Sequence, residues 1–352
     1  MRILFTMGHA YFPQRGGGAQ SNTDQLAKAL IAAGHTVAVA CALSGGGWTE
    51  KRSRVVRRLS GATFSRDLFE GYPVYRAWDP TDLAEVVRKF APDVGIVQNG
   101  HTVPMASSLE ANGVPAVVYF HNVEFDDLEG DPAGLATRAR IANSGFTAQR
   151  VRETFGLPST VIRPFVDAAL YRTATTRQNV TFINPYAVKG ADIAFDVVER
   201  CPDIPFAFVE SWGIDAALRA ALDQRLAVLP NVSLQPRTTA MKTVYARARI
   251  LLAPSRWEEA WGRVATEAHF CGIPVIGSQQ GGLPEAIGPG GIAIPIEADI
   301  GAWVSAVRRL WDDEAEYARL SAAALEFSQR AEIQPGYQTR QLIEVLETAT
   351  AR

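Results

Sequence analysis

Two glutamates separated by seven residues, Glu259 and Glu267, are the chain's strongest candidates for chemistry. An ionised carboxylate only accepts hydrogen bonds, which suits it to the hydroxyl groups of a polyol. Gly262 lies between the glutamates, and Gly281-Gly282 opens a second turn downstream. A glycine turn that leads into a helix offers backbone N–H groups and a positive dipole end, which suit a phosphate. The pattern therefore indicates a ligand that combines a diphosphate with a polyol, as a nucleotide sugar does.

These residues must be positioned by alternating strands and helices. The apolar run Ile250–Ala253 predicts a buried strand. A helix is predicted to start near Arg263 and to end at Gly272, and Val275–Gly277 predicts the next strand. One glutamate then precedes the helix and the other lies inside it. In such sheets the ligand sites are expected at the carboxyl ends of the strands.

The stretch PSRWEEAWGRVATEA, followed by GIPVIGS and GGLPE, resembles the retaining glycosyltransferases of family 4. The resemblance covers nearly the whole chain, and its specific motifs lie between Lys189 and Glu285. It implies the GT-B fold, an α/β architecture of two Rossmann-like, doubly wound domains that face a central cleft. The alternative is that the glutamates form only a solvated acidic loop on an α/β unit.

Length and composition agree with a two-domain globular protein. The chain has 352 residues, and single hydrophobic cores seldom grow that large. The formal net charge of -2 gives no general attraction to nucleic acid, so no nucleic-acid partner is expected. No apolar run approaches the length of a membrane span. The cysteines have neither disulfide-scaffold nor zinc-ligand spacing, and the expected location is the cytoplasm.

The domain boundary is placed near residue 165. Ile3–Phe5 predicts a first strand, and it is followed by a predicted helix over Ser21–Ala33. We assign residues 1–165 to an acceptor-side domain and residues 166–336 to a donor domain. A terminal helix over about 337–352 is expected to pack back on the first domain, as the resemblance implies.

The loop after the first strand, Gly8–Gly18, is a second candidate for ligand contact. Its glycines precede a helix and permit close approach of the backbone to a ligand. The spacing is not the dinucleotide fingerprint and no Walker lysine follows, which weighs against NAD and ATP. The resemblance makes Gly17 and Gly18 part of the acceptor side of the cleft. The alternative is a flexible loop.

Two histidines follow predicted strands of the first domain. His101 comes after Val94–Val97, and His121 ends the run Ala116–Phe120. A polar residue at the carboxyl end of a buried strand is expected to point at a ligand site. His121 also matches the family histidine that lies near the donor sugar, so the resemblance makes it a catalytic residue. His101 is a candidate for the acceptor cleft, and either histidine could instead be a structural loop residue.

The resemblance assigns roles in the donor domain residue by residue. Glu259 would hold hydroxyl groups of the donor sugar, Glu267 would bind the ribose, and Lys189 would neutralise the leaving diphosphate. Backbone N–H groups would hold phosphate or sugar oxygens at five positions: Gly262, Arg263, Val264, Gly282 and Leu283.

Asn184 marks a departure from the family pattern, which commonly places an arginine there as a second cation for the diphosphate. Asparagine can donate hydrogen bonds but carries no charge. Arg15, Arg256 and Arg263 are the candidates to supply the missing charge. We expect Arg263 to do so, because it begins the helix beside the glycine turn.

The expected reaction moves a hexosyl unit from a nucleoside diphosphate sugar to a hydroxyl group, with retention of anomeric configuration. The acceptor would be a glycan, a glycolipid or a small molecule, and UDP is expected before GDP. No cofactor and no metal ion are expected, because Lys189 and a helix N-terminus would supply positive charge at the diphosphate. Three alternatives stay open: a sugar-nucleotide epimerase, a phosphorylase, and a sugar-nucleotide sensor that transfers nothing.

The segment Trp48–Ser60 is strongly basic and has the pattern of an amphipathic helix. On a helical wheel one side is apolar, through Val55, Val56 and Leu59. Cations cover most of the other side: Lys51, Arg54, Arg57 and Arg58. Such a helix suits an anionic membrane surface or a phosphorylated acceptor. The alternative is a solvated face.

Overall fold

The structure, a computed structural model, describes residues 1–137 and 139–351 of the chain. It divides into two compact units, Met1–Phe165 with Pro335–Arg352 and Val166–Gln334. Position 352, the end of the predicted terminal helix, lies outside the described residues. Each unit has its own sheet and its own hydrophobic clusters.

Strands and helices alternate along the chain. The amino-terminal half carries β1 (Arg2–Ala10), α1 (Gly18–Ala32), β2 (Thr36–Ala42), α2 (Gly47–Ser60), β3 (Ser65–Phe69), β4 (Tyr72–Ala77), α3 (Ala84–Phe90), β5 (Val94–Val97), α4 (Thr102–Ala111), β6 (Ala116–Phe120), β7 (Ala139–Ala142), α5 (Gly145–Phe155) and β8 (Thr160–Val161). The remainder carries β9 (Asn179–Ile183), α6 (Ala191–Arg200), β10 (Phe206–Val209), α7 (Ala216–Leu226), β11 (Val232–Gln235), α8 (Met241–Tyr245), β12 (Ala248–Ala253), α9 (Arg263–His269), β13 (Val275–Ser278), α10 (Leu283–Ile287), β14 (Gly291–Ile294), α11 (Ile300–Asp312), α12 (Glu314–Phe327) and α13 (Pro335–Thr350).

The first unit is built on an eight-stranded sheet in the order β3-β4-β2-β1-β5-β6-β7-β8. Its pairs are parallel except that of β3 with β4, an antiparallel hairpin at one edge. Helix α13 packs in this unit through Leu342 and Leu346, which are buried with strand residues such as Ile3 and Ile141. The buried strands are apolar on both faces, as expected for a sheet covered by helices on both sides.

The second unit is built on a six-stranded parallel sheet in the order β11-β10-β9-β12-β13-β14. Val180, Phe182 and Phe208 lie in a core that also contains Trp303 of α11. The predicted fold class, α/β with two Rossmann-like doubly wound units, is therefore confirmed.

The strand order reverses once beside the first strand of each sheet. β1 lies between β2 and β5, and β9 lies between β10 and β12. In open α/β sheets the ligand binds outside the carboxyl ends of the strands at such a reversal. The segments that follow β1, β5, β9 and β12 are therefore where each unit is expected to hold its ligand groups.

Two predicted boundaries at the amino terminus are wrong. β1 continues to Ala10, so Gly8 belongs to the strand and not to the loop that follows it. The Gly8 N–H donates to the Asn99 carbonyl oxygen at 2.9 Å, which extends the strand beyond its apolar part. Helix α1 begins at Gly18, upstream of the predicted start at Ser21. Among the residues that the structure describes, there is no helix of the length and apolarity needed to cross a bilayer.

Candidate functional site

The motif segments of the second unit meet through close glycine contacts. Gly190 has a φ of +79°, and a Cβ atom there would overlap the carbonyl oxygen of Pro254. Gly281 has a φ of +60°, and a Cβ atom there would overlap the carbonyl oxygen of Glu259. The Gly282 N–H donates to that same Glu259 oxygen at 2.5 Å. Because only glycine allows these approaches, the segments that follow β9, β12 and β13 form a single site.

Lys189 and Glu259 form an ion pair in this site. Lys189 Nζ lies 2.5 Å from Glu259 Oε1, and Ser255 Oγ donates to the same oxygen at 2.9 Å. The lysine and glutamate side chains are 16% and 21% exposed, so both are accessible to a ligand. The structure thus places two of the predicted catalytic residues in direct contact.

Aromatic rings surround the lysine of this pair. Lys189 Nζ lies 4.9 Å from the ring centroid of Trp212 and 5.3 Å from that of Trp257. The ring of Tyr186 lies 5.3 Å from that of Trp212. An ammonium group is attracted to the faces of such rings, which hold it in place without neutralising its positive charge. These aromatic residues could not be recognised from the sequence, because no spacing links Trp212 in the segment after β10 to Lys189.

Asn184 has a structural role at the end of β9, where its side chain binds backbone groups. Its Oδ1 accepts hydrogen bonds from the backbone N–H groups of Ser211 at 3.0 Å and Trp212 at 2.8 Å. Its φ is +63° and it is 8% exposed. Asparagine adopts this left-handed conformation more readily than arginine does. The residue at the family's arginine position therefore holds the segment that carries Trp212.

Glu267 is buried among hydrogen-bond donors of the protein. The Tyr245 hydroxyl donates to Glu267 Oε2 at 2.8 Å, and Arg263 Nε lies 3.7 Å from Glu267 Oε1. Arg263 Nη2 also donates to the Tyr171 hydroxyl at 3.4 Å. Burial raises the pKa of the Glu267 carboxyl, while the Arg263 charge and the Tyr245 hydrogen bond act in the opposite direction. This carboxylate is held by protein groups in the structure.

Two of the three arginines proposed to replace the missing cation have carboxylate partners. Arg263, the expected replacement, pairs with Glu267. Arg256 Nε donates to both carboxylate oxygens of Asp192 at 3.1 Å. Arg15 lies exposed in the first unit. Lys189 is thus the cation that the structure places beside Glu259.

The predicted backbone donors lie at two adjacent helix starts. Gly262, with a φ of +95°, precedes α9, in which Arg263 and Val264 are the first residues. A Cβ atom at Gly262 would stand 2.6 Å from Leu283 Cδ1, so α9 and α10 begin side by side. The Gly282 and Leu283 N–H groups donate to the carbonyl oxygens of Glu259 and Gln280 and thereby close the turn.

His121 lies in the first unit at the end of β6. Its Nε2 is 2.8 Å from Gln98 Oε1, which also accepts a hydrogen bond from Thr23 Oγ1 at 2.9 Å. Asn143 Nδ2 donates to the His121 carbonyl oxygen at 3.0 Å. Gln98 is fully buried at the carboxyl end of β5, beside the reversal of strand order. The structure thus joins His121 to the expected ligand position of this unit through a residue that the sequence analysis missed.

The other histidines of this edge pair with the acidic segment after β6. His101 Nδ1 lies 2.7 Å from Glu129 Oε2, and His9 Nε2 lies 3.6 Å from Asp127 Oδ2. Burial and the nearby Arg15 charge lower the pKa of His9. Within residues 1–137 and 139–351, no cluster of three or more His, Cys, Asp or Glu side chains has the arrangement of a metal site.

Gly17 and Gly18 also lie in the first unit, where Gly17 precedes α1 and Gly18 is its first residue. The predicted site residues therefore form two sets. One set, around Lys189 and Glu259, lies in the second unit, and the other, around His121, lies in the first.

Comparison with known proteins identifies the family. Residues 16–170 match the model described as Glycosyltransferase Family 4, and residues 216–327 match the model described as Glycosyl transferases group 1. The chain belongs to the family 4 glycosyltransferases, as the resemblance in its sequence indicated.

The curated relatives match over part of their length. The chain is 37% identical over 231 residues to D-inositol 3-phosphate glycosyltransferase 1 of Catenulispora acidiphila, which covers 56% of the chain and 55% of the relative. It is 27% identical over 276 residues to the D-inositol 3-phosphate glycosyltransferase of Corynebacterium aurimucosum, covering 68% and 63%. The chain thus spans less than two thirds of either relative.

Solved structures share the fold over almost the whole chain. Anabaena HepE in complex with UDP-glucose has a TM-score of 0.79 at 18% identity, covering 99% of both chains. Sucrose-phosphate synthase of Thermosynechococcus elongatus has a TM-score of 0.76 at 16% identity, covering 99% of this chain and 98% of the other. Both are glycosyltransferase folds of the GT-B class, and at this identity the likeness concerns the fold alone.

Proposed function

We propose that the protein is a retaining hexosyltransferase whose donor is a nucleoside diphosphate sugar. The observation that carries this proposal is the contact between Lys189 and Glu259 beside the Gly281-Gly282 turn. The site offers an ammonium group for the diphosphate of the donor and a carboxylate for the hydroxyl groups of its sugar. Phosphate is stabilised by positive charge, and a carboxylate accepts hydrogen bonds from hydroxyl groups. Tight donor binding requires the pair to separate or to share its groups with the ligand.

The proposed nucleotide is uridine diphosphate. HepE, which shares the fold, has been crystallised with UDP-glucose and with UDP. That likeness supports UDP as the nucleotide to test before GDP. The sugar is proposed to be a hexose, because the family relatives transfer glycosyl units and the motif glutamate suits a polyhydroxylated ring.

The chemical step breaks the bond between the anomeric carbon and the diphosphate oxygen. The acceptor oxygen forms its new bond on the same face of that carbon, and its proton passes to a leaving phosphate oxygen. Lys189 would stabilise the negative charge that develops on the diphosphate, which lowers the barrier. The motif carboxylates accept hydrogen bonds from side chains, Glu259 from Ser255 and Glu267 from Tyr245, and this suits hydroxyl recognition better than covalent attack.

The acceptor is proposed to be a hydroxyl of a glycan, a glycolipid or a small polyol, taken by the first unit. His121 is the proposed sugar contact in that unit, held by Gln98. The relatives named D-inositol 3-phosphate glycosyltransferase make inositol phosphates the first small polyols to test.

A two-stage experiment tests the proposal. The apparent melting temperature is measured with UDP-glucose, other UDP-hexoses and GDP-hexoses, because a ligand that binds only the folded protein raises its stability. The best donor is then incubated with an acceptor panel, and the anomeric configuration of the product is read by NMR. A retained configuration supports the proposal, and an inverted product contradicts it.

A sugar-nucleotide sensor is the second candidate, and one observation favours it. Each cation beside the motif already has a carboxylate partner: Lys189 has Glu259 and Arg263 has Glu267. A site so neutralised could bind donor without stabilising a departing diphosphate. Donor binding without transfer and without slow donor hydrolysis would establish the sensor instead.

A further inference from the structure

Helix α2 turns its apolar side outward and its polar side inward. Glu50 and Ser53 are buried, with 7% and 3% exposure. Ser65 Oγ of β3 donates to Ser53 Oγ at 2.8 Å, and Arg54 Nε donates to Glu50 Oε1 at 2.9 Å. The helix therefore packs on its own unit through polar groups, the reverse of an ordinary surface helix.

Three apolar side chains form a stripe on the outer side of α2. Trp48, Val55 and Leu59 are 79%, 57% and 84% exposed. Their spacings of seven and four residues place them on one face of a helix. Exposed apolar residues scattered singly need no explanation, but a stripe with a tryptophan at one end is typical of an interaction surface.

Cations flank the stripe. On the helical wheel Lys51 and Arg58 border it on one side, and Arg52 borders it on the other. Arg52 Nη1 lies 3.8 Å from Asp67, with 47% of the side chain exposed, so its charge is only loosely compensated. Helix α2 holds five Lys or Arg residues and one glutamate, although the whole chain has a net charge of -2. Positive charge is thus concentrated where the apolar stripe is exposed.

We propose that α2 docks on an anionic lipid surface, with Trp48, Val55 and Leu59 inserted at the headgroup level and Lys51, Arg52 and Arg58 on the lipid charges. A helix with an apolar stripe bordered by Lys and Arg matches such an interface, where tryptophan is also favoured. A nucleic acid would use the cations but leave the apolar stripe in water. A second copy of the chain, paired through a two-fold axis, would bring the same cations against each other.

This assignment changes which residues carry the contact. From the sequence, a membrane contact is expected to use Lys51, Arg54, Arg57 and Arg58. The structure bonds Arg54 to Glu50 and leaves Arg57 only partly exposed, on the side of the helix that packs inward. The outward surface is instead defined by the apolar stripe with Lys51, Arg52 and Arg58, and insertion rather than charge alone anchors it.

Co-sedimentation of the full chain with vesicles tests the proposal without sugar nucleotide, so its outcome is independent of transfer. The vesicles contain phosphatidylcholine alone or mixed with phosphatidylglycerol. Two variants are compared with the wild type: Trp48→Ser/Leu59→Ser removes both ends of the stripe, and Lys51→Ser/Arg52→Ser/Arg58→Ser removes the flanking charge. Matched controls are Val228→Ser in the second unit, where the side chain is 75% exposed, and Arg88→Ser/Lys89→Ser on α3.

The wild type and both controls should bind the anionic vesicles and not the neutral ones. The cation variant should bind roughly 100-fold more weakly, because it lacks three near-surface cations and each contributes about fivefold. The stripe variant should lose at least about tenfold, and salt near 1 M should release the wild type. Circular dichroism checks that each variant keeps its helices.

Three results would overturn the proposal. Equal binding by the wild type and both variants would make α2 a solvated face. Loss in the cation variant with none in the stripe variant would mean adsorption by charge without insertion. A lipid-free dimer that Leu59→Ser dissociates, with no vesicle binding, would assign the stripe to a second copy of the chain.

Discussion

The Asn184 Oδ1 atom accepts the backbone N–H of Trp212 at 2.8 Å, and the Trp212 ring in turn faces Lys189 Nζ at 4.9 Å. The side chain at the family's arginine position thus acts on the lysine through a tryptophan. It contributes no charge of its own to the site. What it supplies is a fixed position for the cation that remains.

Replacing Asn184 with arginine is expected to harm the protein rather than restore a missing function. The arginine side chain has no acceptor for the two N–H groups and fits the left-handed backbone poorly. We expect a loss of about 1–3 kcal/mol in the free energy of unfolding and lower turnover. Asn184→Asp keeps the acceptor and should retain most stability. Higher turnover in Asn184→Arg would show that charge, not the position of Trp212, limits the site.

Substitutions of Lys189 and Glu259 are expected to have coupled effects on the free energy of unfolding. Their effects on turnover are not expected to compensate each other. Each single change to glutamine leaves one partly buried charge without its partner, while the double change leaves none. The double-mutant cycle should give a coupling of about 1–3 kcal/mol in the free energy of unfolding. Turnover should fall roughly 10- to 100-fold in Glu259→Gln and should not recover in the double variant. Near wild-type turnover in Glu259→Gln would remove that residue from the proposed site.

The sequence predicted the parts of this site that local rules govern. The apolar run Ile250–Ala253 lies within β12, Ala248–Ala253, because buried parallel strands are apolar on both faces. The turn predicted at Gly281-Gly282 is present, and Gly281 has a φ of +60° and lies against the backbone of Glu259, an approach that only glycine allows.

The contacts between distant segments could not be predicted. Trp212 reaches Lys189 because β10 pairs with β9, and Tyr245 of α8 reaches Glu267 of α9. No spacing in the chain indicates either contact. From the sequence, Asn184 was interpreted as the loss of the arginine charge that the family commonly has at this position. The structure gives a local reason for asparagine, because the backbone there is left-handed, with a φ of +63°. A helical wheel likewise gives the two sides of α2 but not which of them packs.

Tyr245→Phe is expected to make stability more dependent on pH. Burial raises the pKa of Glu267 above its usual value, and the Tyr245 hydroxyl opposes that rise, so its loss raises the pKa further. A carboxyl group whose pKa is higher in the folded protein than in the unfolded protein contributes its full stabilisation at a pH below the unfolded pKa. This contribution is lost as pH rises through the folded pKa. The variant should therefore fall further below the wild type as pH rises above about 4.5, the usual pKa of a glutamate.

Urea unfolding at a series of pH values measures this difference. Tyr119→Phe is the matched control, because the Tyr119 hydroxyl donates to the Ile162 carbonyl oxygen at 2.7 Å, a group that does not titrate. Its deficit should stay constant over the same range. A constant deficit for Tyr245→Phe as well would show that Glu267 does not titrate there.

Transfer is expected to survive removal of divalent ions. Lys189 is proposed to supply the positive charge at the diphosphate that a carboxylate-held metal supplies elsewhere. Initial rates with and without EDTA should agree, and adding manganese should change little. A complete loss restored by manganese would contradict this and would point to carboxylate ligands in the acidic segment after β6, which contains Asp126 and Asp127.

Gln98 is expected to position His121 for the reaction. Gln98 Oε1 accepts hydrogen bonds from Thr23 Oγ1 and from the His121 ring, so the imidazole carries a proton on Nε2 and its orientation is fixed. Gln98→Leu removes this acceptor and should lower turnover about tenfold, the low end of what one positioned proton-transfer or hydrogen-bonding group contributes. The Kd for donor, measured by thermal shift, should change little if the donor is held by the second unit. Gln98→Glu retains the acceptor oxygens and should recover part of the turnover. Equal losses in the leucine and glutamate variants, with a lower melting temperature in both, would reduce Gln98 to a core residue.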